Sequence, residues 1–120
     1  MPRIIHLFLP VLSLVVSAGV SADCVRNAYG IFEEKACAID ALRSDERELK
    51  VVYESLLAKL DKTQRLALIK SQDAWNAYVD AEVRLNYTIE GDGADGRTEA
   101  IQIRESLTHR RVQELSGWRL

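Results

Sequence analysis

The sequence has no excess of positive charge. Its 16 basic and 18 acidic side chains give a formal net charge of −2, so no nucleic-acid partner is predicted. It also has no internal repeat, low-complexity tract or strand-like alternation of apolar and polar residues. What remains is 120 residues of ordinary globular composition, 48% hydrophobic and 28% charged, which corresponds to about one domain.

Histidine is scarce, and this limits the chemistry that the chain can perform. His6 lies in the apolar N-terminal segment, and only His109 follows it. No nucleophile is presented on a sharp turn, so a hydrolytic triad is excluded and His109 is predicted to be a solvated residue of the last helix. Adjacent acids such as Asp45 and Glu46 point about 100° apart on a helix, which indicates a solvated face. The sequence therefore predicts neither an enzyme nor a cofactor.

The first 22 residues have the organisation of a secretory signal peptide. Arg3 precedes an apolar stretch over residues 4–16, and a run of small residues ends at Ala22. Pro10 interrupts the apolar stretch, which is short for a membrane-spanning helix of about 20 residues. Cleavage after Ala22 is predicted to leave a single domain, residues 23–120, in the periplasm or outside the cell, without stable membrane insertion.

The chain has two cysteines, Cys24 and Cys37, and both lie in the predicted exported domain. An oxidising compartment favours an intramolecular disulfide between them. A metal or redox pair is disfavoured, because the C-x-x-C spacing and a nearby histidine are missing. Asp23 directly precedes Cys24, where a lipidated cysteine needs a small residue, so a lipid anchor is not expected.

Two helices are predicted in the first two thirds of the domain. Apolar residues recur at spacings of three, four and seven between Asp40 and Asp61, which indicates an amphipathic helix. Either Asp40 or Ser44 caps its start, or a shorter helical turn over residues 31–38 continues into it. Thr63 is the predicted N-cap of a second, longer helix that contains no proline.

An acidic segment rich in glycine, Glu90–Gly96, separates the second helix from a third that opens at Thr98 and closes near Gly117. It is predicted to be a loop, because three glycines in seven residues disfavour a helix. Its acids do not follow the register of a calcium-binding loop, so no metal site is predicted. The segment is either a plain connector between helices or a contact surface, because exposed carboxylates on a mobile loop complement a basic protein. The predicted partner contacts are Glu90, Asp92 and Asp95.

Short links make consecutive helices neighbours, so the predicted fold class is all-α: a small antiparallel domain of about three main helices with one disulfide. Tyr53, Trp75 and Tyr78 are expected to fill much of its core. Arg111 lies beside the apolar side of the third helix, where a guanidinium needs a carboxylate partner. Asp80 is the expected partner.

Three short elements of the chain follow recognisable patterns and together cover most of the domain. The element with Leu49 and Tyr53 is similar to E-L-N-x-x-Y, the one with Gln72 and Trp75 to Q-x-A-W-x-x-Y-R-D-A-E-C, and the one with Thr108 to T-x-x-R-x-x-x-L. With these elements the chain resembles the lysozyme-inhibitor LprI-like N-terminal family, small exported bacterial proteins with helical, cysteine-stapled domains. The resemblance implies mainly structural roles for the matching residues. These are Leu49, Tyr53, Gln72, Trp75, Tyr78, Asp80, Thr108, Arg111 and Leu115.

The chain departs from these patterns at several positions. Lys50 replaces an asparagine, Val79 an arginine and Val83 a cysteine, and the cysteine expected shortly before Thr108 is also missing. Losing both cysteines together is what the deletion of one disulfide would produce. The resemblance implies a non-enzymatic envelope protein that binds a basic lysozyme or another peptidoglycan-cleaving enzyme. The alternative is a structural or adaptor domain of the envelope without inhibitory activity.

Overall fold

The computed structural model describes Cys24 and residues 30–120. Within these residues, three helices account for nearly all of the chain: α1 (Ile31–Lys59), α2 (Lys62–Glu90) and α3 (Ala94–Ser116). No strand occurs among the described residues, and the prediction of an all-α fold is confirmed. The predicted signal peptide, residues 1–22, lies outside them. None of the described helices is both long and apolar enough to cross a membrane.

Helix α1 is one continuous element that begins at Ile31, well before Asp40. The predicted helical turn over residues 31–38 continues into the main helix, because no glycine or proline interrupts this stretch. Cys37 lies on α1 and is bonded to Cys24, with 5.7 Å between the two Cα atoms. The predicted disulfide is therefore present, and it ties the chain before α1 onto the helix.

The link between α1 and α2 consists of Leu60 and Asp61. Asp61 caps α2: its carboxylate accepts a hydrogen bond from the backbone N–H of Gln64 at 2.8 Å, and the Gln64 side chain accepts one from the Asp61 N–H at 3.0 Å. This capping box places the N-cap two residues before Thr63, the predicted one. The Nε of Arg65 donates to the carbonyl oxygen of Leu57, in the last turn of α1, and to that of Leu60, in the link, both at 2.9 Å, so the link is fixed from both sides.

The link between α2 and α3 is shorter than the predicted loop Glu90–Gly96. Only residues 91–93 lie between the helices, and Gly96 is a buried residue of the first turn of α3. A Cβ atom built on Gly96 would overlap the carbonyl oxygen of Gly91. Glycine at this position therefore allows two helix ends to approach each other closely, and it does not break the helix. Thr98, predicted to open the helix, lies in its second turn.

Helix α3 packs against both of the other helices. Its contacts with α1 join Gln102 to Glu34, His109 to Asp45 and Leu115 to Leu56. Its contacts with α2 join Gly96 to Asn86, Arg104 to Asp80 and Arg111 to Gln72. Along α3 from its N-terminus, the contacted residues therefore increase in number along α1 and decrease in number along α2, so α3 runs in the same direction as α1 and opposite to α2.

The main apolar cluster lies where the C-terminal parts of α1 and α3 meet the N-terminal part of α2. Its buried members are Leu56, Leu68 and Leu115, one from each helix. Because each helix contributes one leucine, the cluster joins all three helices. Burying a leucine side chain stabilises a fold by about 1.5 to 3 kcal/mol. Partly buried apolar residues surround it: Leu49, Val52, Tyr53, Leu57 and Leu60.

Candidate functional site

Most residues that carry the family resemblance occupy positions that suit a structural role. On α3, Thr108, Arg111 and Leu115 are buried. On α1, Leu49 and Tyr53 pack against the apolar cluster. On α2, Gln72 and Trp75 are partly buried, so Trp75 lies at the edge of the core and not at its centre.

Arg111 is held by three polar side chains. Its Nε donates to Gln72 Oε1 at 3.1 Å, and its two terminal nitrogens reach Ser71 Oγ at 2.9 Å and Glu114 Oε2 at 3.1 Å. Only 11% of the side chain is exposed. The expectation that this guanidinium needs a carboxylate is confirmed, and Glu114 provides it.

The predicted ion pair between Asp80 and Arg111 is wrong. Asp80 binds Arg104 instead, at 2.8 Å, and the side chains of Arg104 and Asp80 are 37% and 55% exposed. Arg104 and Arg111 are two helical turns apart, about 10 Å along α3. The helix register therefore places Arg104 opposite Asp80, and Arg111 opposite Gln72.

An exposed apolar stripe runs along α2. Its members are Tyr78, Leu85 and Ile89, with 48%, 52% and 67% of each residue exposed. Spacings of seven and four residues place them on one side of the helix. Tyr78 is therefore not the core aromatic residue that the sequence predicted, because the buried side of α2 passes through Val79, which is 1% exposed.

Next to the C-terminal end of this stripe, three acidic residues lie at or beside the link between α2 and α3, and we call them the acidic link. Glu90 ends α2, Asp92 lies in the link and Asp95 lies in the first turn of α3, and all three are exposed. Arg97 donates to the backbone carbonyl of Asp92 at 2.7 Å. Within the described part of the chain, no cationic group lies within 4.0 Å of these three carboxylates. They are presented by a short link rather than by the mobile loop that the sequence predicted.

A cavity of about 390 Å³ lies beside Arg111, between the ends of the three helices. The buried leucines of the apolar cluster line it, together with Trp118 and Leu120 of the C-terminal segment. Its walls are mostly apolar, and the one guanidinium among them, that of Arg111, is already bound to Glu114. No pattern in the sequence indicates this cavity, because helix packing alone creates it.

A second cluster of polar side chains joins α1 to α3. The carboxylates of Asp45 and Glu105 and the imidazole of His109 have ligand atoms within 4.8 Å of one another. His109 Nδ1 lies 3.3 Å from Asp45 Oδ1, and Gln113 Nε2 lies 3.2 Å from His109 Nε2. The side chain of Asp45 is 12% exposed and that of His109 is 56% exposed.

Burial raises the pKa of Glu105 above its ordinary value of 4.5, and a hydrogen bond with Asp45 and the charge of that carboxylate raise it further, while His109 acts in the opposite direction. Two carboxylates from different helices therefore face each other here. The prediction of a solvated Asp45 is wrong, since it is buried against α3. His109 is exposed as predicted, but it contacts Asp45. The sequence does not reveal the cluster, because Asp45 is 64 residues away from His109 and meets it only through packing.

The described residues thus form a disulfide-tied helical domain with an exposed apolar stripe beside three exposed carboxylates. The family model described as "Lysozyme inhibitor LprI" matches residues 24–115. The chain therefore belongs to the LprI family of lysozyme inhibitors, and the resemblance seen in the sequence is confirmed. Comparison with curated proteins and with solved structures gives no match.

Proposed function

We propose that the chain is an exported, non-enzymatic protein that binds and inhibits a basic lysozyme or a related peptidoglycan-cleaving enzyme. Membership of the LprI family, over residues 24–115, is the observation that carries this proposal. The predicted signal peptide and the Cys24–Cys37 disulfide support export, since disulfides persist in oxidising compartments such as the periplasm.

The charge of the exported domain suits a basic partner. Removing the signal peptide removes Arg3 and no acidic residue, so the formal net charge falls from −2 to −3. Opposite charges on two proteins accelerate their encounter, and salt screens this effect. An encounter driven in this way requires exposed acids that are not held in ion pairs, and among the described residues no cationic group lies within 4.0 Å of the carboxylates of Glu90, Asp92 and Asp95.

The apolar stripe and the acidic link together form the surface that best suits such a partner, and we call it the α2 face. It consists of Tyr78, Leu85 and Ile89 with the carboxylates of Glu90, Asp92 and Asp95. Interfaces commonly have an apolar centre and a polar rim, and tyrosine is enriched among the residues that contribute most to binding. On this surface Tyr78 is the expected anchor, and the acids are the expected rim.

The test is a turbidity assay of cell-wall lysis with a panel of lysozymes and the folded, disulfide-intact domain. We expect inhibition of at least one basic lysozyme and no cleavage by the domain itself. The variant Tyr78→Ala is expected to weaken inhibition about tenfold or more, as truncation of an interface anchor does. Leu66→Ala is the matched control, because Leu66 is 55% exposed on the same helix but about 120° around it.

Failure to inhibit any lysozyme would contradict the proposal and favour the envelope adaptor. Inhibition that is equally sensitive to Tyr78→Ala and Leu66→Ala, or to neither, would leave an inhibitor whose contact surface lies away from the α2 face.

A further inference from the structure

We propose that Asp45, Glu105 and His109 form a binding site for a divalent transition-metal cation, with Zn²⁺ as the best fit, between α1 and α3. The site is separate from the α2 face and does not depend on lysozyme inhibition. It would provide three protein ligands, one imidazole and two carboxylates, with water completing the coordination.

The donor atoms are near enough to one another for small side-chain movements to place all three on one ion. All three groups place a ligand atom within 4.8 Å of the others. Zinc bonds of 2.0 to 2.2 Å in tetrahedral geometry put neighbouring ligand atoms about 3.3 to 3.5 Å apart. The 3.3 Å separation of His109 Nδ1 and Asp45 Oδ1 matches one such edge, and it is longer than an ordinary N–H···O hydrogen bond.

The electrostatics of the cluster favour a cation. Asp45 is buried, and it faces a second carboxylate, Glu105, across the helix interface. Of the described residues, no lysine or arginine nitrogen lies within 4.0 Å of either carboxylate. Two facing carboxylates repel each other unless a proton or a cation lies between them. A divalent ion would neutralise both at once.

The surroundings of His109 also suit a metal ligand. Gln113 contacts the second ring nitrogen, Nε2, at 3.2 Å, and a metal-bound histidine usually has a hydrogen-bond partner at that position. The amide of Gln113 accepts from the Nε2–H when its oxygen faces the ring, and rotation of the amide provides this. The exposed side of the imidazole leaves room for an ion and its water to enter. An imidazole ligand favours Zn²⁺ over Ca²⁺ or Mg²⁺, which prefer oxygen ligands alone.

The experiment is a titration of the tag-free domain, residues 23–120 with its disulfide intact, with ZnCl₂ in a calorimeter. We expect saturable binding of one ion and, at about a hundredfold excess over the Kd, an increase of the Tm on the order of 10 °C. In long-range ¹H–¹⁵N spectra, the Nδ1 resonance of His109 should shift on zinc addition as that of a metal-bound nitrogen. This signal is unambiguous because His109 is the one histidine of the exported domain.

Three variants locate the site. Asp45→Asn and His109→Gln are each expected to weaken zinc binding at least tenfold, and His109→Gln changes a side chain that is 56% exposed. Glu46→Gln is the matched control, because it removes one exposed carboxylate next to Asp45 in sequence, and its affinity should equal that of the wild type. Absence of saturable binding below millimolar Zn²⁺ would overturn the proposal. Equal affinities in His109→Gln and wild type would do the same.

Discussion

Asn86 and Gly96 join the end of α2 to the beginning of α3: the side-chain amide of Asn86 donates a hydrogen bond to the carbonyl oxygen of Gly96 at 2.9 Å, and both residues are buried. The contact stabilises the fold, because a buried amide without a partner is costly. It can form only because the two helix ends are close. The close approach in turn depends on the missing side chain of Gly96, whose place the backbone of Gly91 fills.

Replacing Gly96 by alanine should therefore destabilise the domain. Its Cβ would overlap the Gly91 carbonyl, and separating the helices would strain the hydrogen bond from Asn86. We expect a loss of about 1 to 3 kcal/mol in the free energy of unfolding, measured by urea denaturation. Gly93→Ala is the control, since a Cβ there meets nothing within 4 Å, and its cost should stay below about 1 kcal/mol. Equal costs for the two variants would contradict this explanation of the short link.

The sequence-based prediction of the fold succeeds for the number of helices and fails at the boundary near Gly96. The spacing of apolar residues indicates three helices, because periodicity reflects the buried side of each helix. The boundaries at Gly96 and Thr98 are wrong because glycine has two meanings in a sequence, helix termination and close approach, and only the packed structure distinguishes them. The N-cap at Asp61 was available from the sequence, since Gln64 completes its capping box.

Arg111 should contribute far more to stability than Asp80 does. Truncating Arg111 to methionine leaves Gln72, Ser71 and Glu114 without their shared donor, and we expect a cost of about 2 to 4 kcal/mol. Asp80→Asn disrupts only an exposed pair with Arg104 and should cost about 0 to 1 kcal/mol. A double-mutant cycle should give coupling between Asp80 and Arg104 within this small range, and none between Asp80 and Arg111. Coupling above about 1 kcal/mol between the last two would contradict the contacts in the structure.

Reduction of the disulfide should destabilise the domain. Cys24 and Cys37 close a loop with a sequence separation of 13 residues, and a loop of this length stabilises a fold by about 3 kcal/mol through its effect on the unfolded chain. Thermal melts with and without reductant measure the change. The double variant Cys24→Ser, Cys37→Ser is the control, and its Tm should be low and insensitive to reductant. Two reactive thiols in the exported, unreduced protein would show that the bond does not form.

The facing carboxylates predict a specific pH dependence in the absence of metal. Burial and Asp45 raise the pKa of Glu105 above 4.5, so protonation of this acid is more favourable in the folded state than in the unfolded chain. The stabilisation this gives is complete below the unfolded pKa and is lost as the pH rises through the folded pKa. Glu105→Gln imitates the protonated acid, so it should be more stable than the wild type at pH 7 and equal to it near pH 4.

The expected gain at pH 7 is at most about 1 kcal/mol, because water screens the repulsion at this partly exposed position. Thermal melts in a chelating buffer at the two pH values provide the measurement. Glu99→Gln is the control, since it removes an exposed carboxylate from the same helix and should show no such difference between the two pH values. A destabilised Glu105→Gln variant at pH 7 would mean that its negative charge stabilises the fold.

The candidate sites are less predictable from the sequence than the helices are. Glu90, Asp92 and Asp95 are neighbours in sequence, so their acidic character is visible directly, and the structure changes only how they are presented. Asp45 and His109 come together through the relative register of α1 and α3, which depends on side-chain packing across the whole interface. The local sequence pattern therefore identifies the acidic link between α2 and α3, but it does not reveal the cluster between α1 and α3.

Neutralising the acidic link should slow lysozyme binding, and most strongly at low salt. The triple variant Glu90→Gln, Asp92→Asn, Asp95→Asn removes three exposed charges at the rim of the α2 face. Rim charges act mainly on the association rate, so we expect a decrease of about tenfold at 10 mM ionic strength and less than about threefold at 150 mM, with little change in dissociation. Surface plasmon resonance at both salt concentrations measures these rates.

The control removes three exposed charges from α1, with Glu46→Gln, Glu48→Gln and Glu54→Gln, and gives the same net charge. A similar decrease in both triple variants would assign the effect to net charge, whereas inhibition unaffected by the first triple would place the lysozyme contact away from the acidic link.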